Sequence, residues 1–187
     1  MGRFARAGVP LLFAVAVQAQ SPAAVQRHHT KQNAEAYGIL GVVALGIIYE
    51  LPENVSKWSP EQKTFRHFLD SYRSPPVWDQ DPFFWNWIMH PLGGAYAYLS
   101  ERNWGESPLR GFLISTAASV GWEYGFEAPI EHPSAQDLWI TSTTGSVLGE
   151  LSYRATKAMA RNGFNPLEKV VVTLINPVWV AQRGYRP

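Results

Sequence analysis

Four ionisable residues, His90, Glu123, Glu127 and Asp137, sit inside apolar, helix-patterned sequence between Trp85 and Arg154. An imidazole with several carboxylates is a donor set for a divalent metal that keeps an open position for water. The same groups serve metal-free acid–base chemistry, with the histidine as base and a carboxyl as acid. Ionisable groups buried among apolar neighbours must be paired, solvated or used. The catalytic candidates are therefore His90, Glu123, Glu127 and Asp137, and the metal-ligand candidates His90, Glu123 and Glu127. Their spacing does not choose between the two chemistries. The zincin, nucleophile-elbow, phosphate-loop and dinucleotide motifs are all missing from the sequence, so no cofactor is named by it.

Each candidate also has a structural reading. His90 is a core histidine if a carboxylate or carbonyl satisfies it. Glu123 and Glu127 are four apart on one helix face, where like charges repel unless an arginine (Arg102, Arg110 or Arg154), a shared proton or a cation compensates. Asp137, three residues after Ser134, fits a capping box at a helix start. Glu150 and Arg154 form an i, i+4 pair in the favourable order. Tyr96 and Tyr98 are expected to pack.

The elements that must carry these residues are helices. Side-chain acceptors precede five candidate starts: Ser59-Pro60, Asp81-Pro82, Ser107-Pro108, Ser134 and Asn165-Pro166. Four have proline in the first turn, where its missing N–H costs nothing. Gly105 and Gly163 are C-terminal stops. Strand alternation bounded by hairpin signals is missing. The expected fold is all-α, a compact bundle of about five to six helices at 34–51, 60–72, 82–101, 108–127, 135–161 and 166–175. Pro91 removes a backbone bond beside His90 and should kink that helix. Residues 170–180 fit a short helix followed by an extended tail, interrupted by Pro177.

The chain opens with Arg3 and Arg6, an apolar stretch from Ala7 to Val17, and the small-residue pattern Val17-Gln18-Ala19. That is the form of an export signal cleaved after Ala19. The expected organisation is a signal peptide at 1–19, a flexible lead-in at 20–33 and one helical domain at 34–187. The sequence has no cysteine, which excludes disulfides, thiolate metal sites and lipid attachment at cysteine. A formal charge of +1 without a long basic run argues against nucleic acid as partner.

Eight tryptophans suit either a core or an interfacial membrane setting. The uncharged stretch Ala36–Tyr49 makes about 21 Å of helix against a hydrocarbon core of about 30 Å, so buried core helices are the default. Small residues at helix-contact spacing (Gly38, Gly41, Ala44; Ser115, Ala118, Gly121, Gly125; Ser142, Gly145, Gly149) keep membrane insertion open.

Several of these residues carry a resemblance. From Glu50 to Tyr153 the chain resembles a bacterial family, the domain of unknown function numbered three-nine-four-three. The likeness rests on Leu51-Pro52-Glu53, Lys57-Trp58, Asp81 through Asn86 to His90-Pro91, and Gly94. It continues through Trp122-Glu123, Glu127, Pro133-Ser134, Asp137, Gly145 and Gly149-Glu150. The resemblance implies an exported protein, and relatives with a following β-barrel imply an outer-membrane component as setting or partner. More distantly, the order His…Glu…Ser-x-x-Asp…Gly…Gly is similar to VanZ-like helical membrane proteins, with Thr141 where those show Asn. Neither resemblance implies an activity. The expectation is an exported envelope protein, periplasmic or membrane-associated, with a His/Glu polar pocket and an accessory or binding role. The alternative is a metal-assisted hydrolase or transferase acting on lipid or cell-wall material.

Overall fold

The computed structural model describes residues 22–53, 59, 65–78 and 80–187. The export pattern, the Ser59-Pro60-Gln62 start, Lys57-Trp58 and Asp79 lie wholly or in part outside these residues. Seven α-helices are present among them: α1 Pro22–Glu50, α2 Phe65–Ser71, α3 His90–Arg102, α4 Pro108–Gly121, α5 Ala135–Ala160, α6 Pro166–Ile175 and α7 Pro177–Arg183. Two π-helical turns, Trp85–Met89 and Trp122–Glu127, lead into α3 and continue α4. The isolated bridge between Val77 and Ser134 is the one strand-like pairing in the described residues.

Local chemistry accounts for the starts. Ser107 Oγ accepts from Arg110 N–H at 3.2 Å, and Ser134 Oγ from Asp137 N–H at 3.0 Å. Asn165 and Glu168 exchange both bonds of a capping box, each at 2.9 Å. Gly105 and Gly163 follow α3 and α5 with positive φ.

Two expectations are corrected. The stretch 22–33, read as a flexible lead-in, is the first part of α1. It is held by tertiary contacts: His29 stacks on Trp104 at 3.7 Å, and Asn33 Nδ2 donates to Ser100 O and Glu101 Oε1. The tail after Ile175 is helical as well. Asn176 caps α7 by accepting from Trp179 N–H at 3.0 Å, so Pro177 opens a helix rather than interrupting one. Where the kink at Pro91 is expected, the coil widens to a π-turn, in which His90 N–H bonds to Trp85 O, five residues back. In an α-turn the Pro91 ring would clash with the carbonyl four residues earlier, and the wider coil is how the chain meets that constraint.

Helices α3, α4 and α5 form the centre, with α3 and α5 in the most extensive contact. Small residues permit it. A Cβ on Gly94 would lie 2.0 Å from Thr141 O, and one on Gly145 would lie 2.7 Å from Gly94 Cα. The Tyr98 ring fills the space beside Gly111 and Gly149 and donates its hydroxyl to Glu150 Oε2 at 2.7 Å. Glu150 also receives Arg102 Nε at 2.9 Å and Arg154 Nε at 2.8 Å. Beside it, Arg110 Nε meets Glu101 Oε2 at 2.9 Å. All three arginines that could have compensated Glu123 and Glu127 therefore serve this opposite end of the bundle. A separate apolar cluster of Ala160, Phe164, Val172 and Trp179 fixes α6 and α7 to the end of α5.

Candidate functional site

The other end of the three-helix centre gathers residues from three elements. His90 begins α3 directly after the π-turn, Glu123 lies in the π-turn that extends α4, and Asp137 lies in the first turn of α5. π-turns widen the coil locally and often occur where a side chain must be re-aimed. Here both flank the same cluster.

His90 Nδ1 lies 4.0 Å from Glu123 Oε1, and Nε2 lies 3.9 Å from Asp137 Oδ2. Thr141 Oγ1 is 3.2 Å from Nδ1. The carboxylates are almost fully buried, with side-chain exposures of 1% and 4%, whereas the imidazole is 15% exposed. The ring thus stands at the mouth and the two acids behind it. One ligand atom from each of His90, Glu123 and Asp137 falls within 4.8 Å of the other two. An ion with bonds of about 2.0–2.2 Å sets neighbouring ligand atoms about 3.0–3.5 Å apart, so side-chain movements of roughly an ångström close the set around it.

Each side chain has a local reason for its place. Glu123 Oε2 accepts from Ser134 N–H at 2.7 Å, which anchors the acid to the first turn of α5. The segment before α5 is held in turn by Val77, whose N–H donates to Pro133 O at 2.9 Å and whose carbonyl accepts from Ala135 N–H at 2.8 Å. Ser71 Oγ donates to Ala128 O and Glu131 O, and Tyr72 OH to Tyr124 O. These bonds brace the loop between Glu127 and Ser134 and the π-turn that precedes it. Asp137 and Thr141 are four apart on α5, so both face α3.

Glu127 is half-buried beside the cluster and is not one of the three converging ligands. Burial pushes its carboxyl well above the ordinary value of 4.5, and Glu123 and Glu131 push it further. A hydrogen bond from Trp122 offsets part of the rise, and Asp137 adds to it. Of the sequence candidates, the structure brings together His90, Glu123 and Asp137, with Glu127 as a neighbouring carboxyl whose pKa is raised. The sequence reading gave Thr141 no role at the site, although its i, i+4 relation to Asp137 placed it on the same face. Ser134 is more than a cap: its backbone N–H also positions Glu123.

Chemically, two buried carboxylates about one imidazole call for a positive charge among them. A divalent cation, or the protonated ring, supplies it. Nitrogen with two carboxylate oxygens suits zinc, manganese or iron, and three protein ligands leave room for water or a ligand.

No match was found among curated proteins or among solved structures. The family model described as Domain of unknown function (DUF3943) matches residues 75–178, more than half of the 187, and the matched stretch contains His90, Glu123, Glu127 and Asp137. The chain therefore belongs to the DUF3943 family.

Proposed function

We propose that this chain is an exported cell-envelope protein whose helical bundle holds a divalent cation among His90, Glu123 and Asp137, in an accessory or binding role. One observation carries the reading: three ligand atoms from three different elements converge within 4.8 Å, two of them on buried carboxylates. Export is supported by the N-terminal pattern of Arg3, Arg6, Ala7–Val17 and Ala19. Calorimetric titration of the purified protein with zinc and manganese tests the binding. Saturable uptake of one ion per chain, lost in Asp137→Asn, fits the proposal, and the absence of uptake contradicts it. Sequencing the mature N-terminus from fractionated cells tests export, with Gln20 as the expected first residue.

A second reading is favoured by Glu127. A carboxyl whose pKa is raised by burial and by neighbouring carboxylates is suited to act as a general acid beside a metal site. In that reading the bound cation would activate water, and the protein would be a metal-assisted hydrolase or transferase acting on lipid or cell-wall material. Glu127→Gln should then abolish turnover of phospholipid or cell-wall fragments and leave the cation bound. Lack of turnover by the cation-loaded wild type rejects this version.

A further inference from the structure

In water, a bundle places its large apolar side chains inside and its polar ones outside. The centre of this one is mixed: Tyr98, Leu99 and Ile140 are buried there, but so is a set of small and hydroxyl residues, while many large apolar side chains face outward. Buried between α3, α4 and α5 are Gly94, Ala97, Ser115, Ser119, Ser142 and Ser146. Facing outward are Phe112 and Leu113 on α4, Val147 and Leu148 on α5, and Val42 and Ile47 on α1. The exposures are large: 55% for Leu113, 69% for Trp139 and 59% for Val147. The inward hydroxyls are satisfied by the protein itself. Ser115 donates to Thr141 O, Ser119 to Asp137 O, Ser142 to Leu138 O and Ser146 to Ser142 O.

We propose that lipid hydrocarbon covers this belt. Charge complementarity selects that partner. Residues 36–49, 91–100, 111–122 and 138–149 contain no Asp, Glu, Lys or Arg. The ion pairs of Glu101, Arg102, Arg110 and Glu150 lie at one end of these stretches, and His90, Glu123 and Asp137 lie at the other. An uncharged layer between two charged ends matches hydrocarbon between polar surfaces. Helices α4 and α5 both pack on α3 and on each other, so their outer faces point in different directions. The belt is a surround rather than a groove, and a fluid covers a surround more readily than one protein partner does. Small and hydroxyl residues at helix contacts are how helices associate in lipid, where burial of apolar area gives no drive.

No helix among the described residues is long and apolar enough to cross a membrane. Serines and threonines on the inward faces dilute the mean hydropathy of each helix. Twelve uncharged residues make about 18 Å of helix against a core of about 30 Å, so the lipid around the bundle thins. This inference stands independently of the cation.

The test uses the full mature chain with vesicles of phosphatidylethanolamine and phosphatidylglycerol, with and without brominated acyl chains. The protein should float with the vesicles. Brominated chains should quench its tryptophan emission, and Trp139→Phe should remove part of the quenched signal. Sedimentation without vesicles, or emission unchanged by bromine, overturns the proposal. Because the chain has no cysteine, Leu113→Cys, Val147→Cys and the exposed control Arg161→Cys report access to an impermeant maleimide. Protection of the first two only when vesicles are present is expected. Labelling equal to the control places the belt in water, and protection without vesicles gives it to a second copy of the chain; either outcome overturns the proposal.

Discussion

Glu123 satisfies the backbone N–H of Ser134, the donor that an acid three residues into α5 would satisfy in a capping box. Asp137 holds that third position and takes only the other half of the motif, donating its N–H to Ser134 Oγ. The box is therefore closed by an acid from a different element, which leaves the Asp137 carboxylate directed at His90. Two substitutions at Glu123 separate the structural part of this arrangement from its charge. Glu123→Ala leaves a buried N–H unsatisfied and should cost about 1–3 kcal/mol. Glu123→Gln keeps an acceptor oxygen and should cost less. Equal losses in chemical denaturation would show that the Ser134 bond does not anchor the turn.

Adjacent glycines on α3 should respond in opposite directions. A Cβ at Gly94 would collide with the backbone of Thr141, whereas one at Gly93 meets nothing within 4 Å. Gly94→Ala should destabilise by about 1–3 kcal/mol or more, the cost of overpacking against backbone that cannot yield. Gly93→Ala should stabilise by about 0.5–1 kcal/mol through helix propensity. Melting temperatures of the two variants give the comparison.

The pH dependence follows from Glu127. Its folded-state value is raised, so the native protein holds a proton that the unfolded chain has lost. The resulting stabilisation is complete below the ordinary value of 4.5 and is lost as pH rises through the folded-state value. Melting temperature should decline across that window in the wild type, and Glu127→Gln should flatten the decline and melt higher at its upper end. Glu150 acts in the opposite sense. Burial would raise its value, but hydrogen bonds from Tyr98, Arg154 and Arg102 outweigh that and hold it low. Its contribution is present above 4.5 and fades as pH falls through the lowered folded-state value.

Much of the fold was legible because helix starts are written in a few adjacent residues. Ser107, Ser134 and Asn165 needed no tertiary information to be read as caps. Residues 22–33 were not legible, since His29 and Asn33 are ordered by Trp104, Ser100 and Glu101, far away in sequence. The metal-ligand set was legible in part. His90 and Glu123 stood out as ionisable groups in apolar surroundings. Glu127 was preferred to Asp137 because the cap offered Asp137 a complete local explanation. Only the tertiary approach of His90 Nε2 to Asp137 Oδ2, at 3.9 Å, shows that the cap and the site share that residue.

The central claim, a cation held by His90, Glu123 and Asp137, is tested most directly by titrating the apo protein with zinc and manganese beside His90→Ala and Asp137→Asn. One ion per chain in the wild type, with affinity reduced at least tenfold in both variants (about 1.4 kcal/mol or more) while both remain folded, is the predicted result. Uptake that is absent, or that survives both substitutions unchanged, would contradict it.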